Sequence, residues 1–116
     1  MNRRQAERRG RNSERIAALY LGLSGWRLLA SRVKTPRGEI DLIMRRGSTI
    51  LFVEVKYRKA AKDWALALDA YRLRRVAAAV ETIAHRYARR GENVRIDAVM
   101  LAPWRWPRHI VNAWQP

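Results

Sequence analysis

The sequence predicts a single α/β domain in which helices cover a mixed β-sheet. Three observations support this class: two segments carry apolar residues at helical spacing, β-branched and apolar runs lie between and after them, and the order helix, strands, helix, strands is typical of an α/β sandwich. A length of 116 residues suffices for one hydrophobic core and is short for two domains. We expect a flexible basic arm over residues 1–11 and one domain over residues 12–116.

The first helix is expected to begin at Asn12 or Ser13, either of which can cap it, and to end near residue 24. Its apolar stripe consists of Ile16, Ala17, Leu19, Tyr20 and Leu23. Glu14 falls in the first turn, where the helix dipole alone would explain a carboxylate. After Gly25, residues 26–33 are expected to form a strand with Trp26, Leu28 and Ala30 on one side, followed by a turn at residues 35–38.

Residues 38–56 form the clearest hairpin in the sequence: two apolar runs flank Gly47-Ser48, which suits a type II′ turn because glycine takes the first central position. On one face this register pairs Met44 with Leu51, Leu42 with Val53 and Ile40 with Val55, so that face is expected to be buried. On the other face it pairs Ile43 with Phe52, Asp41 with Glu54 and Glu39 with Lys56.

Three carboxylates and one ammonium group therefore crowd together on that second face. Like charges opposite one another on a sheet repel, and a desolvated carboxylate needs a positive partner. Carboxylates converging from neighbouring strands can hold Mg²⁺, which prefers oxygen ligands and commonly takes one or two carboxylates with water and phosphate. The alternative is an exposed ladder in which Glu39 pairs with Lys56, while Asp41 and Glu54 lie apart in water.

The string of residues 38–56 resembles the GEIDLI…FVEVK signature of the YraN-like family of small bacterial proteins. The resemblance implies a restriction-endonuclease-like fold, a three-layer α/β/α sandwich whose central mixed sheet contains the 39–56 hairpin. It also implies the Asp…Glu-x-Lys (PD-(D/E)xK) core of type II restriction enzymes and archaeal Holliday-junction resolvases, matched here by Asp41, Glu54 and Lys56. The family pattern further places a glutamate on the first helix, which Glu14 matches and which would complete the acidic cluster.

The resemblance implies a magnesium- or manganese-dependent nuclease that hydrolyses phosphodiester bonds in DNA, with branched or structured DNA as one substrate class. Asp41, Glu54 and Glu14 would bind the metal, and Lys56 would orient or deprotonate the attacking water. A resolvase-like role would favour a symmetric homodimer. The alternative is a noncatalytic nucleic-acid-binding or ribosome-associated module on the same scaffold, because positive charge alone explains binding.

The formal charge of +15, mostly from arginine, indicates a polyanionic partner. Nucleic acid is the leading class, although anionic membranes and ribosomes attract such proteins too. The sequence has no cysteine, no signal-peptide core and no apolar run of membrane-spanning length, so we expect a cytoplasmic protein outside the membrane. The expected phosphate-binding residues follow the hairpin or decorate the second helix: Arg58, Lys59, Lys62, Arg72 and Arg75.

The second helix is expected to follow a cap at Asp63 or Asp69 and to end near residue 90 before Gly91. Its expected buried stripe consists of Leu73, Val76, Val80, Ile83, Ala84 and Tyr87. At its start, Arg72-Leu73 stands where the family pattern has Lys-Gln.

A further strand is expected over residues 94–101, in which Asp97 is interpreted as a structural carboxylate. In the turn at residues 103–108, Trp104 and Trp106 are expected to pack on the domain, since large aromatic residues usually bury. The alternative is that their indoles stack on bases. Residues 109–113 are expected to close the chain as an edge strand, with His85 and His109 in structural roles.

Overall fold

The computed structural model describes residues 3–114, except for the side chains of Arg3, Ala6, Glu7, Arg9 and Leu66. The helices are α1 (Arg3–Gly22), α2 (Trp64–Ala67) and α3 (Ala70–Tyr87), and a 3₁₀ turn, Ala61–Asp63, precedes α2. The strands are β1 (Arg27–Thr35), β2 (Gly38–Arg46), β3 (Thr49–Tyr57), β4 (Asn93–Leu101) and β5 (Arg108–Ile110). Along the described chain, no helix is both long and apolar enough to cross a membrane.

The five strands form one open sheet in the order β1-β2-β3-β4-β5. Neighbouring strands are antiparallel except for β3 and β4, which run parallel and are joined through α3. The mixed α/β class is therefore confirmed. Each long helix covers one face of the sheet: Ala17 and Leu21 of α1 pack with Leu42 and Val53, whereas α3 packs over Phe52 on the other face.

The predicted hairpin register is confirmed from the turn as far as Leu42–Val53: Arg46 pairs with Thr49, and Met44 with Leu51. The predicted pairs Ile40–Val55, Asp41–Glu54 and Glu39–Lys56 lie beyond the observed pairing. Gly47 has a φ of 58°, as the first central position of a type II′ turn requires. Among the described residues, positive φ outside glycine occurs at Arg32, Trp104 and Asn112, so Ser48 does not take it.

The predicted alternation fails near the start of β2. Ile40 packs in the core under α3 together with Ile43, whereas Leu42 packs under α1. Ile40 and Val55 therefore do not share a face, because β2 departs from period two around Asp41. The placement of Ala30 with Trp26 is also wrong: a bulge between Leu28 and Ala30 shifts the register of β1, and Ala30 packs against the α3 cluster. Leu28 lies on the face of Trp26 as predicted, since it pairs with Met44 of the same cluster.

The first helix is longer than predicted. It begins at Arg3 rather than at Asn12 or Ser13, so the described part of the expected basic arm is helical. Arginine, glutamine, glutamate and alanine are all good helix formers, and they dominate this segment. Met1 and Asn2 lie outside the described residues.

Asp69, the second of the two predicted caps, begins α3, and its side chain accepts a 2.8 Å hydrogen bond from the backbone N–H of Arg72. The helix ends at Tyr87, three residues earlier than expected, and Gly91 follows with a φ of 74°. Its buried stripe is Leu73, Val76, Ala79, Val80 and Ile83, while Ala84 and Tyr87 are partly buried. This agrees with the predicted face of the helix.

The last part of the chain corrects two expectations. The closing strand is Arg108–Ile110, shorter than residues 109–113 and shifted toward the turn. The tryptophans of the preceding turn do not pack on the domain: Trp104 is fully exposed and Trp106 is 82 % exposed. This outward placement accompanies a left-handed backbone at Trp104, with a φ of 61°, in a turn closed by the pairing of Met100 with Arg108.

Candidate active site

The predicted catalytic residues approach one another at one end of the sheet, which we call the carboxylate end. It is the end of the sheet at which the parallel strands β3 and β4 finish, at Tyr57 and Leu101. Because β2 runs antiparallel to β3, its first residues lie at the same end. Backbone pairing between β2 and β3 runs from Arg46–Thr49 to Leu42–Val53, and the carboxylates lie just beyond it.

Asp41 lies where the two strands part. The backbone N–H of Val55 donates a 2.7 Å hydrogen bond to Asp41 Oδ2, so a side chain replaces the carbonyl that a regular ladder would offer. Burial, and next the charge of Glu54, raise the pKa of Asp41 to about 7, although the Val55 hydrogen bond and the charge of Lys56 act in the opposite direction. The ionised form of Asp41 is thus destabilised in the folded protein, which favours binding of a proton or a cation.

Glu54 and Lys56 form a close ion pair, with 2.7 Å between Lys56 Nζ and Glu54 Oε1. Glu54 is buried, so the exposed ladder considered from the sequence, with Lys56 on Glu39 and Glu54 in water, is not the observed arrangement. The pair opens into a groove of about 520 Å³ beneath the start of α3. Residues lining this groove include Glu39, Glu54, Lys56, Asp69, Tyr71, Arg72 and Arg75.

Arg72 and Arg75, two of the five predicted phosphate-binding residues, are thus in the same groove as Glu54 and Lys56. Both are exposed on α3. The other three lie on the chain that leaves β3: Arg58 is half-buried, and its Nη1 donates to the carbonyl of Tyr57 at 2.7 Å, whereas Lys59 and Lys62 are exposed. Positive side chains therefore flank the carboxylate end from α3 and from the exit of β3.

Glu14 reaches the same region from α1 and lines a second groove, on the α1 side of β2. Burial is the main influence on Glu14 and raises its pKa; the charges of Glu39 and Glu54 add to the shift, while those of Arg32 and Arg11 oppose it. The pKa of Asp41 in turn responds to Glu14. The structure thus brings Glu14 within electrostatic range of Asp41 and Glu54 but not into the groove that Glu54 lines.

Arg32 is a residue of this site that the sequence analysis missed. Its Nε lies 3.8 Å from Glu14 Oε1 and 3.8 Å from Glu39 Oε1, so the guanidinium bridges carboxylates of α1 and β2. Its Nη1 is buried with no hydrogen-bond partner among the described residues. Arg32 has a φ of 52°, in the left-handed region that a branched or long side chain seldom adopts.

A left-handed backbone conformation places Arg32, a nominally regular strand residue, opposite Asp41 in an irregular geometry. Composition and alternation carry no signal for such a conformation. The only available hint was its place on the strand beside Asp41, between Ser31, which pairs with Leu42, and Val33, which pairs with Ile40.

The donor set partly suits a divalent cation. Among residues 3–114 as described, no three His, Cys, Asp or Glu side chains are gathered closely enough to hold a metal ion together. Mg²⁺, however, commonly uses one or two carboxylates and completes its shell with water and phosphate oxygens. Asp41 and Glu54 fit that requirement, because they are two carboxylates close enough for the charge of Glu54 to raise the pKa of Asp41.

Asp97 belongs to a separate, closed network. It is fully buried, accepts two 2.9 Å hydrogen bonds from the guanidinium of Arg95, lies 2.6 Å from His109 Nε2 and accepts the backbone N–H of Asn112. Burial opposes ionisation, but the hydrogen bonds from His109, Arg95 and Asn112 outweigh it and lower the pKa of Asp97. This arrangement agrees with the structural role expected for Asp97 and His109.

Comparisons with known proteins place the chain among close relatives. The family model described as "Uncharacterised protein family UPF0102" matches residues 13–101, which include the whole 38–56 hairpin. A UPF0102 protein of Erythrobacter litoralis is 60% identical over 116 residues, covering 100% of both chains. Relatives from Sphingopyxis alaskensis, 55% identical over 116 residues, and Rhizorhabdus wittichii, 60% identical over 115 residues, cover 100% and 98% of both chains.

Proposed function

The chain belongs to the UPF0102 family, as its YraN-like signature predicted, and from its site we propose that it is a metal-dependent nuclease that hydrolyses phosphodiester bonds in DNA, including branched or structured DNA. The observation that carries the proposal is the placement of Asp41: a half-buried carboxylate fixed by the backbone of β3 near Glu54, with Lys56 Nζ 2.7 Å from the second carboxylate. These residues match the Asp…Glu-x-Lys order of restriction-endonuclease-like enzymes, and the proposal extends to that fold.

In this proposal Asp41 and Glu54 hold Mg²⁺ or Mn²⁺, which would supply Lewis-acid polarisation of the phosphate. The hydrogen bond from Val55 would hold the Asp41 carboxylate in place for this role. Lys56 lies where its ammonium can orient a water molecule or stabilise negative charge on the phosphate. Arg72 and Arg75 of the same groove would hold the flanking phosphates.

Glu14 has a supporting part in the proposal. It lines the neighbouring groove with Arg32, so its effect on the metal is electrostatic unless its side chain turns toward Asp41. We therefore expect a weaker metal phenotype for Glu14→Gln than for Asp41→Asn or Glu54→Gln. This ranking separates the two carboxylates that share the strand ends from the one on α1.

The first prediction concerns cleavage. Purified protein with Mg²⁺ or Mn²⁺ should cut linear, flap or four-way DNA, and Asp41→Asn should lower the rate by at least about a hundredfold, because it removes a ligand of the metal that stabilises charge in the transition state. The measurement is a gel-based rate on each substrate. Glu81→Gln, which changes an exposed carboxylate on α3, is the matched control and should cleave at the wild-type rate.

Equal cleavage by the wild type and Asp41→Asn would assign the activity to a contaminating nuclease. Calorimetric titration with Mn²⁺ provides a readout independent of turnover: binding heat that disappears in Glu54→Gln supports the metal site. Absence of both cleavage and metal binding would remove the proposal.

The second candidate is a noncatalytic nucleic-acid-binding or ribosome-associated module. One observation favours it: Lys56 Nζ lies 2.7 Å from Glu54 Oε1, so the fold itself supplies a positive partner for this carboxylate. Tight, salt-sensitive DNA binding that is indifferent to metal and to Asp41→Asn would support this candidate.

A further inference from the structure

We propose that the turn between β4 and β5 is a stacking platform for unpaired bases, through which the protein recognises single-stranded stretches of a nucleic acid. The inference rests on the proposed nucleic-acid function for the class of polymer, and it adds which part of that polymer is bound. We call residues 102–107 with Arg108 the tryptophan turn. The main observation behind the inference is that Trp104 is fully exposed and Trp106 is 82 % exposed, although indole side chains are usually buried.

The turn is built to keep these indoles outward. Pairing of Met100 with Arg108 closes it at its base, and Pro103 and Pro107 restrict its backbone. Trp104 itself has a φ of 61°, a left-handed conformation that costs free energy in a residue other than glycine. A short, restrained loop of this kind loses little conformational entropy when it binds, which favours rigid contact with a flat partner.

The positive charge of the turn and of the whole chain favours a nucleic acid as that partner. Exposed Arg105 lies between the two indoles, and exposed Arg108 follows them, on a chain with a formal charge of +15. Alternation of aromatic and cationic side chains is how sequence-tolerant proteins hold single strands, since rings stack on bases while guanidinium groups bind phosphates. Bases inside a duplex are already stacked, so this surface discriminates in favour of unpaired nucleotides.

The turn also lies at the carboxylate end of the sheet. Met100 is level with Lys56 in the parallel pairing of β4 with β3, and Trp104 follows four residues later. Four residues span at most roughly 14 Å. This corresponds to about four nucleotides at ~3.4 Å per nucleotide of one strand. A strand stacked on the tryptophan turn can therefore pass the carboxylates.

The α1 helix extends the positive surface beside the turn. Arg8 of α1 and Arg105 of the turn line the two sides of one groove of about 490 Å³. Arg4, Arg11 and Arg15 continue along α1 with Arg8 around the adjoining groove. The indoles thus stand next to a row of cations that can follow a sugar-phosphate backbone.

The test is equilibrium binding in EDTA, followed by fluorescence anisotropy of labelled strands. The probes are oligo(dT), oligo(U), an oligomer of the same length made of abasic deoxynucleotides, and a blunt duplex. Trp104→Ala/Trp106→Ala should weaken binding of oligo(dT) by on the order of a hundredfold, about tenfold per indole. Binding of the abasic strand and of the duplex should change by less than about threefold. Comparison of oligo(dT) with oligo(U) identifies whether DNA or RNA strands are preferred.

Two further variants define the result. Trp104→Phe/Trp106→Phe should restore most of the affinity for oligo(dT), because phenyl rings also stack on bases. Leu23→Ala, which removes another exposed apolar side chain just after the C-terminal end of α1, is the matched control and should bind as the wild type does.

Equal binding of oligo(dT) by the wild type and the alanine variant would overturn the inference. An equally large loss of affinity for the abasic strand would also overturn it. So would a blue shift of indole emission that phosphatidylglycerol vesicles cause and oligo(dT) does not. Because binding is measured without metal, failure of cleavage leaves this test intact.

Discussion

Asp41 is a residue at which burial and like charge act together. Its pKa in the folded protein is about 7, whereas an ordinary aspartate has a value of 3.8. Between those values the folded chain holds a proton that the unfolded chain has released. The free energy of unfolding therefore falls as the pH rises from about 4 to about 7, and the contribution of Asp41 stays constant above that range.

The second prediction follows from this sign. Asp41→Asn cannot ionise yet keeps an oxygen that can accept the N–H of Val55. In EDTA the variant should be more stable than the wild type at pH 8, and this advantage should shrink toward pH 4.5. Urea denaturation at both pH values measures it. Added Mg²⁺ at pH 8 should then stabilise the wild type and leave Asp41→Asn unchanged.

Glu81→Gln is the matched control for this comparison, since Glu81 is exposed on α3 and its removal should shift the urea midpoint equally little at both pH values. If the variant is no more stable than the wild type at pH 8, the ionised Asp41 carboxylate does not destabilise the folded protein and the prediction is wrong. This result would leave the cleavage test unaffected, because that test measures turnover.

Single residues also show how far sequence reasoning extends. The period of two, with a glycine that suits a type II′ turn, was sufficient to set the hairpin register and to predict that Asp41 and Glu54 lie on neighbouring strands. The period cannot detect the bulge in β1 or the departure of Ile40 from alternation. It also cannot detect the left-handed backbone of Arg32, because local pattern does not encode such a conformation.

At the scale of elements, Asp97 joins β4 to β5 and so supports the tryptophan turn. Its carboxylate receives Arg95 from its own strand, His109 from β5 and the backbone of Asn112 beyond it. Since Asp97 is fully buried, the pairing replaces the water that the carboxylate loses on folding.

The third prediction is that Asp97→Asn destabilises the protein by about 3 kcal/mol, the magnitude expected when one partner of a buried ion pair is removed. The lowered pKa of Asp97 means that its stabilising effect is present above the ordinary aspartate value and is lost as the pH falls through its folded value. The difference between wild type and variant should therefore be smaller at pH 3 than at pH 7. Urea midpoints at the two pH values measure it, and a difference independent of pH would contradict the assignment.

Elements were easier to predict than their ends. The two helices, the hairpin and β4 follow from periodicity because their buried faces are apolar, as in the stripe of α3. The predicted start of α1 was wrong because a polar segment of good helix formers has no apolar periodicity from which a helix could be recognised. The predicted burial of the two tryptophans of the turn was wrong because the average burial of tryptophan says nothing about a loop that projects its side chains outward.

On the scale of the whole molecule, the positive charge is not confined to the carboxylate end. Arg27 begins β1 and Arg90 follows α3, both at the end of the sheet where the hairpin turns. Lys59 and Lys62 lie at the other end, on the exit of β3. All four are exposed. Net charge draws a polyanion to every surface, whereas direct phosphate contact is local, so equal changes of charge at the two ends separate these effects.

The fourth prediction compares two double variants that each remove two positive charges. Lys59→Gln/Lys62→Gln should lower the slope of log Kd against log salt for duplex DNA by about 1.8, since each phosphate contact contributes about 0.9. Arg27→Gln/Arg90→Gln should leave the slope within about 0.5 of the wild-type value, because these side chains lie away from the proposed path of the strand. Anisotropy titrations from low to moderate salt in EDTA measure both. Equal slopes for the two variants would mean that DNA is held by the charge of the molecule as a whole, and that the exit of β3 makes no phosphate contact of its own.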